Sequence, residues 1–210
     1  IYLCLFPVFW MLGVVGVDLA GLPTRVTGLC FLDSGLVCEL ARAGGDDEIL
    51  SFIFSRSPRV VAIDAPLSFP RRGMFRVCEL ELRKLGARPL SPLLRSMKDL
   101  TARGIRLKKV LEDRGYEVIE VFPTGSRRFL GLPPKRAGRK ALLEALRAAG
   151  VKNIPSEADQ HLLDAVICAL IGLHYLRGEY LRVGDPEEGV IILPTPRSLS
   201  KGGSLGEELG

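Results

Sequence analysis

Three short apolar runs in this chain close on or beside an acid: LGVVGVD (12–18), RVVAID (59–64) and YEVIEV (116–121). Apolar runs of this length read as strands covered on both faces, which demands a sheet with helices above and below it. Asp18, Asp64 and Glu120 then stand at strand ends along one edge of the sheet, where α/β folds bind ligands. A fourth acid, Asp164, interrupts the apolar helical stretch HLLDAVICALIGLHYL (161–176). Carboxylates are seldom buried unless paired or bound to metal. Four at the rims of buried elements point to a shared metal site.

The rest of the composition allows such a core. At 210 residues, 47% hydrophobic and 25% charged, the chain buries roughly 70% of its unfolded surface and needs no staples. Lys and Arg outnumber Asp and Glu by 29 to 24, a modest excess that permits a polyanionic partner and equally suits a soluble surface. The five cysteines form no CxxC and no Cys/His cluster at zinc spacing, which argues against structural zinc and for a reducing cytoplasm. The segment IYLCLFPVFWMLGVVGV (1–17) lacks a basic leading region and a cleavage site, and Pro7 breaks it. A membrane anchor is therefore not expected. Met11 reads as the native start, residues 1–10 as an upstream extension, and the Gly/Ser-rich residues 197–210 as a disordered tail.

Between these ends, residues 11–196 read as one α/β domain. Strands are expected over 12–18, 26–33 and 36–43, the last two joined by the hairpin signal at Ser34-Gly35. Tight turns make these three an antiparallel meander. A helix starts at Asp46 or Asp47, with acids in its first turn, and the strand 59–64 follows. Residues 65–115 read as a mostly polar helical insertion, with helices at 74–85 and 98–114. Then come a strand (116–123), a basic loop (125–139) and a helix (140–150) ending at a glycine. The strongest helix signal is 156–178, with Ser156 as N-cap and Asp159 at the third helical position, or with Asp159 itself as the cap. GVIILP (189–194) reads as a last short edge strand.

The chemistry follows from charge. Two unit charges ~4 Å apart in partly buried surroundings repel by about 4 kcal/mol, so three or four clustered acids need a cation. Hard oxygen ligands select Mg²⁺ or Mn²⁺, and two such ions would stabilise the attacking water and the leaving oxygen in phosphodiester cleavage. Blander readings exist for each residue. Asp18 precedes a Gly/Pro turn and Asp64 precedes Ala-Pro, so both also fit loop acids. Glu117 and Glu120 alternate across a strand by ordinary geometry. Asp164, flanked by Leu163, Ala165 and Val166, is hardest to place in solvent. His161, one turn earlier on its face, fits packing as well as catalysis.

The motifs GVDLAG (16–21), VVAIDAPLSFP (60–70), ELRKLG (81–86), LTARGIRL (100–107), YEVIEVFPTG (116–125) and HLLDAVICALIG (161–172) resemble the domain-of-unknown-function 429 family, whose members are described as predicted nucleases of the RNase H fold. The resemblance spans roughly residues 12–194. It implies an RNase H-like α/β fold, a three-stranded antiparallel meander extended by parallel strands with helices on both faces. The helix ADQHLLDAVICAL (158–170) is also similar to the last catalytic helix of RuvC-type resolvases, which carries two aspartates three residues apart. Asp164 matches the second, and His161 stands in place of the first. By resemblance, Asp18 is the first-strand metal ligand, Asp64 the fourth-strand ligand and Glu120 an additional acid.

Basic residues gather near these acids in the sequence: Arg71, Arg72 and Arg76; Lys98 and Arg103; Arg127 and Arg128; Lys135, Arg136, Arg139 and Lys140. Phosphate contacts from such a group give sequence-tolerant, salt-dependent affinity, although each residue alone also suits a solvated surface. No P-loop and no GxGxxG is present. The expectation is a nuclease with two Mg²⁺ or Mn²⁺ ions acting on nucleic acid of unspecified type, with Asp18, Asp64, Asp164, Glu120 and His161 in its site. The alternatives are a non-catalytic nucleic-acid-binding protein and, because DLAGLPT (18–24) resembles a first phosphate loop, an actin- or sugar-kinase-like phosphotransferase. The oligomeric state is open, and a dimer is compatible with the sequence.

Overall fold

A computed structural model describes residues 13–195. The expectations for residues 1–10 and 197–210 lie outside this range. Strands β1 (Gly13–Asp18), β2 (Thr27–Asp33) and β3 (Cys38–Ala43) form the antiparallel meander. Helix α1 (Asp46–Arg56) returns the chain to β4 (Val60–Ile63), which lies parallel to β1. After α2 (Val77–Lys84) and α3 (Arg95–Glu112), β5 (Glu117–Val121) joins parallel to β4. A short α4 (Pro123–Ser126), a 3₁₀ turn (Lys135–Ala137), α5 (Gly138–Ala148) and α6 (Gln160–Leu176) precede β6 (Tyr180–Asp185) and β7 (Gly189–Pro194). The sheet runs β3-β2-β1-β4-β5-β7-β6.

Strand alternation sorts the core into two layers. Val14, Cys30, Leu32, Val60, Ala62 and Ile119 face α5 and α6. Val15, Val17, Leu29, Val61 and Ile63 face α1 and α3, whose Ile49, Ile53, Leu107 and Leu111 close that side. Val14, Val15, Val17, Val60 and Val61 are all fully buried, as two covered faces require.

Three expectations need correction. GVIILP forms β7 but is not the edge; it sits between β5, to which it is parallel, and an antiparallel β6. The actual edge strand, YLRVGD, mixes apolar and charged residues and so carries no buried-strand signature. Helix α6 starts at Gln160 rather than 156: the Asp159 carboxylate accepts from the Leu162 N–H at 3.0 Å, making Asp159 the cap. The stretch 65–115 is also less helical than its composition suggests, since 65–76 and 85–94 are irregular apart from turns.

Candidate active site

The site begins with the register of β1 and β4. Val17 lies opposite Ile63, and the Asp64 N–H donates to the Val17 carbonyl at 2.8 Å. Asp18 and Asp64 therefore leave adjacent parallel strands side by side. By alternation both share the parity of Gly16 and Ala62, the face covered by α6.

Two glycines bring α6 close enough to reach them. A Cβ on Gly16 would stand 2.2 Å from the Ala165 carbonyl oxygen, and one on Gly28 would stand 2.2 Å from that of His161. No side chain fits at either crossing, so helix backbone lies directly on strand backbone. This approach delivers His161 to Asp18, with His161 Nδ1 2.6 Å from Asp18 Oδ2. One turn further along, Asp164 receives a 2.8 Å hydrogen bond from the Arg127 guanidinium. Arg127 is 3% exposed and Asp164 8% exposed.

The charges are incompletely compensated. Burial pushes the Asp18 carboxyl up to about 6; the hydrogen bond from His161 resists this, and Asp164 adds to it. Asp64 is driven well above the usual carboxylate range, first by burial and then by the neighbouring charges of Asp18, Asp164 and Glu120. Lys135 opposes the shift at both aspartates. These groups would bind a proton or a cation in preference to standing bare.

Glu120 behaves differently. It pairs in register with Ile63, not with the position of Asp64, so its side chain starts from the other side of the strand plane, although both acids line one cleft. There its carboxylate accepts from two nitrogens of Arg76 and, at 2.9 Å, from the Leu67 N–H. Arg76, fully buried, also bonds Glu79 and the Ser68 hydroxyl. On balance the Glu120 carboxyl is raised: burial outweighs the opposing pull of Arg76 and of the Leu67 N–H. With its oxygens committed in this way, Glu120 is better read as a structural anchor than as a metal ligand. Sequence reasoning grouped Arg76 with the surface bases and missed Glu79; the i,i+3 spacing of Arg76 and Glu79 is the signal that was there to find.

The expected phosphate-contacting residues divide similarly. Arg72 and Lys98 are exposed, while Arg71 is exposed but paired with Glu187 at 2.9 Å. Arg128 donates to the Leu85 carbonyl. Arg103 corrects the expectation: it is 1% exposed and bonds Asp46 and the carbonyls of Ala20 and Gly44. Its task is to hold the turn after Asp18. The next residue, Gly104, brings α3 to within 3.0 Å (measured to a Cβ built on it) of the Pro66 carbonyl in the turn after Asp64. The LTARG motif thus straps both acid-bearing turns.

Among the described residues, no group of three or more acidic, His or Cys side chains is arranged to enclose an ion. The donor chemistry nevertheless fits a hard cation at Asp18 and Asp64, two adjacent carboxylates whose protonation equilibria are pushed upward. Asp164 fits less well while Arg127 holds it. No described helix is long and apolar enough to cross a membrane.

A comparison with curated proteins finds no match. Among solved structures, T. thermophilus RuvC in complex with Holliday junction substrate aligns with a TM-score of 0.51 at 16% identity, covering 80% of this chain and 96% of that one. A second Thermus thermophilus RuvC structure aligns with a TM-score of 0.48 at 16% identity, covering 79% and 96%. RuvC has an RNase H-like fold, and the first of these likenesses shows that fold here. The model of the family described as a protein of unknown function, DUF429, matches residues 16–189, from the strand that bears Asp18 to the first residue of β7, and the chain belongs to that family.

Proposed function

We propose that this protein is a metal-dependent nuclease that hydrolyses phosphodiester bonds of nucleic acid. The observation that carries the reading is the convergence of Asp18 and Asp64, half-buried side by side at adjacent strand ends, with His161 and Asp164 brought over them by α6. Asp18 and Asp64 would hold a Mg²⁺ or Mn²⁺ ion, which supplies Lewis-acid activation of water and charge neutralisation at the phosphate. His161 orients Asp18 through the Nδ1 contact and, being half exposed, has a second ring nitrogen free to move a proton from water. Arg127 balances Asp164 and places a guanidinium beside the reacting phosphate. The RuvC neighbour bound to a Holliday junction supports a nucleic-acid substrate. The free cysteines among the described residues, Cys30, Cys38, Cys78 and Cys168, suit the reducing cytoplasm as its location.

Incubation of wild type and Asp18→Asn with labelled DNA, RNA and branched junctions, with Mg²⁺ or Mn²⁺, tests the assignment. Metal-dependent cleavage by wild type alone is expected; equal cleavage by both proteins removes Asp18 from the mechanism. The Arg127–Asp164 pair favours a second reading, a non-catalytic nucleic-acid-binding protein, because it leaves Asp164 engaged without any ion. In that case divalent metal binds wild type and Asp64→Asn alike in calorimetry.

A further inference from the structure

We propose that a cleft beside the candidate site binds the phosphate backbone of a single-stranded nucleic acid, leading the strand past Lys135 to Asp64. The inference rests on the nucleic-acid reading above and adds the form of the substrate. The cleft, about 350 Å³, lies between the turn after α2 and the segment running from β5 into the basic loop. Its cationic residues are Arg88, Arg127, Arg128 and Lys135, and none of the described residues lining it is acidic. Arg127 is 3% exposed, and its Nε is buried with no hydrogen-bond partner. The Arg127 guanidinium holds Asp164 through one nitrogen and keeps this second donor unmatched, and with three further cations around it the cleft suits an anionic oxygen ligand.

A second cleft of about 310 Å³ contains Asp64 and shares Arg88, Phe122, Thr124 and Lys135 with the first. One ligand can therefore run from the basic cleft to the acids. The half-buried ring of Phe122 lines both parts, and alternating cations and aromatic surface are what a single strand uses, phosphates on the former and bases on the latter. A duplex presents its phosphates on a broad outer surface and does not reach a guanidinium recessed like that of Arg127. Unpaired strand can enter.

The test uses fluorescence anisotropy with metal withheld, on a labelled 12-nucleotide DNA or RNA strand and on the duplex of the same sequence. The proteins are wild type, Arg88→Glu/Lys135→Glu and a control, Arg59→Glu/Lys152→Glu. All four positions are exposed. Arg59 immediately precedes β4, its N–H donating to the Gly13 carbonyl, and Lys152 bridges to Val37, so the control pair sits at the sheet end away from Asp64. The single strand should bind wild type and control alike and lose about tenfold or more in the cleft variant, with a shallower salt dependence. Equal losses in cleft and control variants, or tighter binding of duplex than of single strand by wild type, overturns the proposal. Strand binding by wild type without cleavage in Mg²⁺ or Mn²⁺ would remove the nuclease reading and leave the cleft standing. Binding of neither form removes both.

Discussion

Two acidic sites meet at the same sheet end, where Asp64, Glu79 and Glu120 line one cleft, and they are solved in opposite ways. In one, Glu120 and Glu79 are met by Arg76, a backbone N–H and a short network that uses their oxygens fully. In the other, Asp18 and Asp64 stand side by side with one histidine contact and a lysine at a distance, and both resist ionisation. Burial of a carboxylate is common to the two and so says little about role. What separates them is compensation: the first site is finished by the protein itself, and the second is left for something else to finish.

The contrast breaks most sharply at Arg76. Arg76→Met strands two buried carboxylates and should cost about 3–5 kcal/mol, the range for removing one partner of a buried ion pair. Urea denaturation measures it. Glu120→Gln, which keeps the Leu67 contact, should cost much less. If the two variants are equally mild, the anchor is not the structural half of the comparison. Next in size is Gly16→Ala, which forces α6 off β1 against backbone atoms and should cost about 3 kcal/mol. Because that helix carries His161 and Asp164, metal affinity should fall with stability. A stable, metal-binding Gly16→Ala protein would show that the close helix crossing is not what assembles the site.

The unfinished site gives the opposite sign. A carboxyl raised to about 6 when folded, against an ordinary value near 4, holds its proton more tightly in the native state than in the unfolded one. Its stabilising contribution is therefore complete below about pH 4 and is lost as the pH rises toward 6. At pH 8 without metal, Asp18→Asn should be more stable than wild type by on the order of 2 kcal/mol. Addition of Mn²⁺ should raise the melting temperature of wild type and not of the variant. Loss of stability in Asp18→Asn at pH 8 would place Asp18 with Glu120, as an ordinary structural acid.

How far the sequence discloses this contrast depends on the kind of information each feature carries. The apolar runs ending at Asp18 and Asp64 announce strands covered on both faces, and the strands are there. The apolar stretch around Asp164 likewise announces the helix that crosses them. Glu120 looks the same in sequence as Asp64, an acid at the close of a strand, yet a one-residue difference in register starts its side chain from the other side of the strand plane. Arg103 and Arg127 look like solvated bases because nothing local distinguishes a buried arginine from an exposed one; their partners, Asp46 and Asp164, are far along the chain. The strand β6 hides for a related reason: at the sheet edge it needs only one apolar face, and its pairing with β7 supplies the rest.

The smallest expected effect probes His161, which reaches the unfinished site from helix α6. His161 is about half exposed, and its hydrogen bond is the leading influence that holds the Asp18 carboxyl down against burial. His161→Ala removes that contact without opening the core, because the side chain lies at the first turn of α6 on the solvent side. The Asp18 carboxyl should then titrate above about 6, and the pH at which metal-free stability levels off should move upward with it. Carboxyl-carbon NMR of Asp18 reads the change directly. Metal affinity at pH 8 should fall only slightly, since the cation is held by the carboxylates and not by the imidazole. An unchanged titration would mean that His161 merely rests on Asp18, and the proton-moving part assigned to it would have no physical support.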